Sequence, residues 1–301
     1  MSTIAKKWTA DPSRRAGLEI VDVRVPDPGP HDVRVSVTAV GMNPVDAINL
    51  ADGATEVGYE IAGTIDAVGS GVTDRSVGDA VISFRVHGGY TTSLVIPSRD
   101  VFAKPDDLGW AEAANLLLTG SAAAEMIYRT HVSESDTVIV HGASGAVGIS
   151  AVQQARLQGA RVIGTAAEKN WDLLRRFGAE PVAYGPGLEG RIRALTDRVD
   201  VALDAVGTDE AIDVSLALVS DRRRIASSAA FDRAPREGFW IVGYESGSVE
   251  YRNRVRQPLV DLARKGKLVV PVARTFPFSE APDALALVAS GHAGGKVALL
   301  V

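Results

Sequence analysis

Cysteine is absent from all 301 residues. That excludes disulfides and any zinc centre built on thiolate. No apolar run approaches the roughly 18 residues needed to cross a bilayer. The opening run MSTIAKKWTADPSRR lacks the apolar segment of an export signal. A cytoplasmic protein that does not enter membranes is therefore expected. No excess of basic residues exists either: the net charge of −5 argues against a nucleic-acid partner. The five histidines (His31, His87, His131, His141 and His292) show no metal-ligand spacing, so no bound metal is expected. What is abundant is core: 46% hydrophobic and 23% charged residues argue for folded domains and against disorder.

The first third is β-rich. In DVRVSVTAVGMNP, Val33, Val35 and Val37 alternate with polar residues, the period of a half-buried strand. EIAGTIDAVGSGV and DAVISFRVHGGYTTSLVIP continue with short strands broken by glycine turns, as in a small barrel or sandwich. From about Trp110 the texture changes to Ala- and Leu-rich helix. Strands then alternate with helices: strand 137–140, helix 146–158, strand 161–165, helix 168–177, strands 181–184 and 199–204, helix 209–219, strand 223–227. This alternation predicts parallel βαβ units in a doubly wound sheet, hence an α/β fold. A helix is expected from Pro258, followed by strand, turn, helix and strand to the end.

The run TVIVHGASGAVGISAVQQA, residues 137–155, joins a strand to a helix through Gly142, Gly145 and Gly148. Such a turn presents bare backbone N–H groups at the positive end of a helix, which suits a dinucleotide's pyrophosphate. Gly145 allows close approach of the phosphates and Gly148 close packing of helix on strand. Ala143 replaces the first glycine of the usual pattern. The strand before and the helix after supply the context the motif needs; the alternative is glycines serving packing alone. The next strand, ARVIGT, ends in Gly164, Thr165 and Ala166 without the carboxylate that bonds a ribose 2′-hydroxyl in NAD sites. Lys169 follows, and Thr165 offers a hydroxyl. A tip without negative charge tolerates a 2′-phosphate, so NADPH is the expected cofactor. Glu168 would oppose that phosphate if it turned inward.

Six segments in order resemble the medium-chain dehydrogenase/reductase superfamily, specifically its zinc-free, zeta-crystallin-like quinone oxidoreductases. They are VPDPGPHDVRVSVTAVGMNPVDAI, GYEIAGTIDAVGSGVTDRSVGDAV, GGYTTSLVIPSRDVFAKP, VIVHGASGAVG, VDVALDAVG and GHAGGKVALLV. The resemblance implies a GroES-like β-barrel domain, residues 1–112 and 262–301, with a Rossmann domain, residues 113–261, inserted in it and the ligand in the cleft between them. It implies hydride transfer from NADPH to a quinone or another activated alkene or carbonyl, without zinc, and a homodimer formed through edge strands of the nucleotide domain. The partner is then a small apolar electrophile. Zinc members carry a histidine where Tyr59 stands in GYE. The resemblance places Asn43 near the nicotinamide and Tyr184 beside the 2′-phosphate.

The cofactor set read from turn and resemblance together is Asn43, the turn residues Ala143, Ser144, Gly145, Ala146, Val147 and Gly148, then Thr165, Lys169 and Tyr184. It continues with Ala205, Val206, Gly207, Ser227, Ile241, Val242 and Lys296. The catalytic candidates are Asn43, Tyr59 and Tyr90, with Tyr90 a candidate proton donor. Departures from the family are also visible. Ile48 stands where several members have a tyrosine, the segment from Ala51 to Val57 is short, and Ala122 and Ala124 replace a threonine and an aromatic. These losses leave a second class of function open, a redox sensor that binds NADP(H) with little turnover. A zinc-type alcohol dehydrogenase is the third and disfavoured reading.

Overall fold

The computed structural model describes residues 3–11, 13 and 17–301. Part of the opening run read for an export signal lies outside them. The chain divides into two compact units. One comprises Met1–Leu118, Val260–Gly266 and Val270–Val301; the other comprises Thr119–Leu259 and Lys267–Val269. The sequence places these cuts after residues 112 and 261.

The first unit begins with β1 (Thr3–Ala10) and β2 (Leu18–Val25), an antiparallel pair of their own. Next come β3 (Asp32–Met42), α1 (Pro44–Ala51), β4 (Glu60–Val68), β5 (Ala80–Phe84), β6 (Ser93–Pro97), β7 (Val101–Ala103) and the short α2 (Trp110–Ala113). In β3 the alternating Val33, Val35 and Val37 are buried and their polar neighbours vary in exposure. Two register shifts against β4 bend the strand, as bulges do. The bend lets β3 pair with β4, β6 and the distant β15. A curled antiparallel sheet results, closed over a core that includes Val33, Ile61, Ile65, Tyr90 and Leu299.

The second unit follows with α3 (Leu117–Thr130), β8 (Thr137–His141), α4 (Ala146–Leu157), β9 (Arg161–Thr165), α5 (Trp171–Arg176) and β10 (Glu180–Val182). It continues with α6 (Leu188–Arg193), β11 (Val201–Asp204), α7 (Asp209–Leu218), β12 (Ile225–Ser227), α8 (Ala234–Glu237), β13 (Trp240–Ile241) and α9 (Ser248–Arg264). Its six strands are all parallel, in the order β10-β9-β8-β11-β12-β13. Counted from β8, that is the 3-2-1-4-5-6 order of a doubly wound dinucleotide fold. The order reverses between β8 and β11, and ligands of such sheets sit beyond the carboxyl ends of the strands there. Val138, Val140, Val201 and Leu203 are fully buried, as strands covered on both faces require. The chain then returns to the first unit with β14 (Val272–Pro277), α10 (Ala281–Ala289) and β15 (Lys296–Leu300).

Three features depart from the sequence reading. The helix expected from Pro258 starts ten residues earlier, at Ser248, and Pro258 lies inside it. α6 and the two-residue β13 were not anticipated by periodicity. Among the described residues, no helix is long and apolar enough to cross a membrane.

Candidate functional site: a glycine turn and a buried ionic cluster

At the carboxyl end of β8 the chain turns through Gly142, which takes the left-handed φ of 66°. The turn is held from behind. Gly142 N–H donates to the Thr165 hydroxyl (3.2 Å) and Ala143 N–H to the Thr165 carbonyl (3.0 Å). Gly145 N–H closes the turn on the Gly142 carbonyl at 2.9 Å. The three glycines have different reasons. A Cβ on Gly148 would lie 2.2 Å from the Gly142 carbonyl oxygen, so helix and turn pack backbone to backbone. A Cβ on Gly145 would meet only that same oxygen, at 3.3 Å, and otherwise open space. Packing accounts for Gly148; it does not account for Gly145. No side chain caps α4, whose N-cap is Gly145. The first-turn N–H groups of Ala146, Val147 and Gly148 therefore have no side-chain cap, and the residues present fit a pyrophosphate.

The surrounding candidates separate clearly. Thr165 is buried, and its hydroxyl is spent on the turn. Lys169 and Glu168 are exposed on the 3-10 turn after β9. Tyr184 is 61% exposed beyond β10. Sequence reading missed Asn170, whose amide donates to the Ser144 hydroxyl at 3.1 Å and ties the β9 tip to the glycine turn. It also missed Asp204, the fully buried last residue of β11. The Asp204 carboxylate accepts the N–H groups of Val206 (3.1 Å) and Gly207 (3.0 Å) and the Ser227 hydroxyl, while the Ser227 oxygen accepts from Ala229 (3.0 Å) and Ala230 (2.9 Å). This network shapes the Ala205–Gly207 turn. Its signal in the sequence was the single acid ending an apolar strand, VALD. Ile241 and Val242 are buried core side chains. His141, also buried, has neither ring nitrogen paired, and burial lowers its pKa to about 4, so the imidazole is neutral.

The first unit holds a separate cluster, and it gives three predicted residues different tasks. Lys296 extends from β15 and spends its three N–H donors on the Met42 carbonyl (3.0 Å), Asn43 Oδ1 (2.6 Å) and Glu60 Oε1 (3.1 Å). No donor is left for a nucleotide. Asn43 joins the same cluster, its amide nitrogen donating to Glu60 Oε1 at 3.0 Å. Glu60 Oε2 accepts Leu118 N–H at 2.9 Å. Tyr90 is fully buried and its hydroxyl donates to Asp46 at 3.1 Å. Burial raises its pKa well above the ordinary value, with the Asp46 carboxyl adding to the shift. The third catalytic candidate, Tyr59, is half-buried on the loop before β4. Among the described residues, no group of three or more His, Asp or Glu side chains is placed to hold a metal ion.

Asp46 makes a prediction. Burial raises its pKa from 3.8 to about 7, partly offset by hydrogen bonds from Asn43 N–H and Tyr90. Its Oδ1 has no partner. The folded state therefore holds a proton that the unfolded state releases. This contribution to stability is full below pH 3.8 and is lost as pH rises towards 7, by up to about 4 kcal/mol. Asp46→Asn, which mimics the protonated acid, is expected to remove that slope. Urea titrations of both proteins across this pH range check it.

The topology and the turn define the class: dehydrogenases that join a dinucleotide fold to a GroES-like sheet. Residues 29–106 match the family model of the alcohol dehydrogenase GroES-like domain, and residues 177–299 match that of the zinc-binding dehydrogenase. The chain is 30% identical to the quinone oxidoreductase of Pseudomonas aeruginosa, over 90% of this chain and 82% of that one. It is 28% identical to the chloroplastic NADPH-dependent alkenal/one oxidoreductase of Arabidopsis thaliana, over 92% and 74%. It is also 30% identical to polyketide synthase GfsB of Streptomyces halstedii over 89% of this chain, and spans 5% of that protein's length. Among solved structures, the CurK enoyl reductase superposes with a TM-score of 0.85 at 24% identity (98% and 99% covered). A quinone oxidoreductase of Pseudomonas syringae superposes with 0.83 at 26% (99% and 100%). The chain belongs to the medium-chain dehydrogenase/reductase superfamily, in its quinone-oxidoreductase-like group.

Proposed function

We propose that this protein is an NADPH-dependent oxidoreductase that reduces a quinone or another activated alkene or carbonyl compound without zinc. The observation that carries the reading is the glycine turn with an uncapped helix behind it and a β9 tip free of carboxylate. When bound, the nicotinamide supplies the hydride; the chain's part is to hold, orient and dehydrate the reactants. First-turn N–H groups of α4 hold the diphosphate, and Asn170 and Thr165 keep the turn in shape. Lys169 is free to swing towards a 2′-phosphate. Relatives named for quinones and for alkenals support the acceptor class.

The residues do not fit zinc. The chain has no thiol, Tyr59 and Asn43 are not ligands for this ion, and the Glu60 carboxylate is already neutralised by Lys296. NADPH oxidation in the presence of a strong chelator, against a panel of quinones, enones and aldehydes, tests the reading. Turnover unchanged by the chelator is expected. Tight NADPH binding with no turnover on any acceptor would favour the sensor. A homodimer built on an edge of the parallel sheet remains part of the proposal, with sedimentation as its check.

A further inference from the structure

We propose that Glu125 is a positioning residue for the nicotinamide half of the dinucleotide, its buried carboxylate setting the loop 242–247 at the carboxyl end of β13. The inference rests on the NADPH-dependent reading above and deepens it by assigning a residue remote in sequence from the glycine turn. All the groups it uses lie within the second unit. In a sheet of this order, the strands on one side of the switch point carry the adenosine half, whose ribose meets the β9 tip. The strands on the other side, β11, β12 and β13, carry the nicotinamide half. Residues 242–247 leave β13 at its carboxyl end and lead into α9.

Glu125 projects from α3 and is fully buried. Its Oε1 accepts from the Ser248 hydroxyl and from Arg129 Nε (3.1 Å); its Oε2 accepts from Gly243 N–H (3.1 Å) and from Arg252 Nε (2.6 Å). One carboxylate thereby pins the loop near its start, at Gly243, and just past its end, at Ser248. Arg129 adds a bond to the Ser246 carbonyl (2.8 Å) between them. None of residues 243–247 is buried, and Tyr244 is 74% exposed. Gly243 and Gly247 take left-handed φ values of 95° and 77°. Neither apolar packing nor side-chain sterics therefore fixes this stretch of backbone. Burial pushes the Glu125 pKa up, but the hydrogen bonds from Ser248 and Arg252 outweigh it and hold the carboxyl below its ordinary value, ionised.

Stability alone does not call for this arrangement, since apolar residues of similar size often replace a buried ionic cluster without loss. What the carboxylate supplies is position. The guanidinium groups of Arg129 and Arg252 fix its direction, and it in turn fixes where Gly243 N–H lies. A loop ordered before the ligand arrives spares the cost of ordering it on binding. Glu125 is fully buried, so it acts through the loop and not on the nucleotide.

The test measures the affinities of NADPH and of adenosine 2′,5′-bisphosphate, which has the adenosine half and no nicotinamide, in wild type, Glu125→Gln and Arg252→Met. Glu125→Gln keeps the shape but puts an amide nitrogen, which accepts nothing, among donors. It is expected to weaken NADPH about tenfold, the worth of one lost hydrogen bond, with the bisphosphate held as in wild type. The fluorescence of bound NADPH is expected to fall towards that of the free nucleotide as the nicotinamide loosens. Arg252→Met leaves the carboxylate paired with Arg129 and is expected to give the same split with a smaller loss; it decides the matter if Glu125→Gln does not fold. Thermal melting accompanies both variants. A merely structural role would weaken both ligands in step with the melting temperature. That result, or unchanged NADPH affinity in a folded Glu125→Gln, would overturn this inference and leave the reductase reading standing. Wild-type protein that binds neither ligand would overturn both.

Discussion

Gly145→Asp is expected to abolish NADPH binding, by at least about 100-fold, while leaving the melting temperature close to that of the wild type. A new carboxylate would sit among the N–H groups that receive the diphosphate. At about 4 Å and an effective dielectric near 20, like charges repel by about 4 kcal/mol. The fold has little reason to object, because a Cβ at this position meets a single oxygen at 3.3 Å. Gly148→Ala is the contrast. Its Cβ would sit 2.2 Å from the Gly142 carbonyl oxygen and 2.7 Å from the Ala143 Cα, so helix and turn must separate. That variant is expected to lose stability and affinity together. Fluorescence titration with NADPH and thermal melting of both variants distinguish a ligand-binding glycine from a packing glycine.

The second large effect concerns the ionic cluster of the first unit. Lys296→Met leaves the Glu60 carboxylate buried without its counter-charge. Breaking one partner of a buried pair costs about 3–5 kcal/mol, a fall of roughly 10 °C in melting temperature for a protein of this size. The double variant Lys296→Met/Glu60→Gln removes the stranded charge and is expected to regain most of the loss. Urea denaturation of the single and double variants measures the difference. NADPH affinity should survive in any Lys296 variant that remains folded, because all of the lysine's donors are consumed within its own unit.

The contrast between these two sites shows what a sequence can reveal. The nucleotide turn is local. An apolar strand, three glycines and a helix lie within twenty residues, and each glycine constrains backbone its neighbours can touch. The parallel sheet was legible for the same reason, since strand and helix alternate with clear periods. The ionic cluster is not local. Asn43, Glu60 and Lys296 come from opposite ends of the chain, and only the pairing of β15 with β3 brings them together. The sequence expects Asn43 and Lys296 as cofactor contacts; in the fold they bond to each other and to Glu60. Nothing near Tyr90 in sequence announces its complete burial.

The early start of α9 has a similar cause. Its first half, SVEYRNRVRQ, carries no apolar stripe. It is anchored instead by the buried Glu125 of α3, which accepts from the Ser248 hydroxyl, from Arg252 Nε at 2.6 Å and, alongside them, from Gly243 N–H at 3.1 Å. Hydrophobic periodicity cannot report a helix held by a carboxylate. β13 is equally silent: its two residues become a strand only by pairing with β12.

The central claim is that the turn after β8 receives a dinucleotide diphosphate beside a strand tip that repels no further phosphate. Side-by-side titration of the purified protein with NADPH and NADH, followed by nicotinamide fluorescence at low ionic strength, tests it most directly. NADPH held at least about tenfold more tightly, a difference of about 1.4 kcal/mol, with the preference shrinking as salt is added, is the predicted result. NADH held more tightly than NADPH, or neither nucleotide held at all, would contradict it.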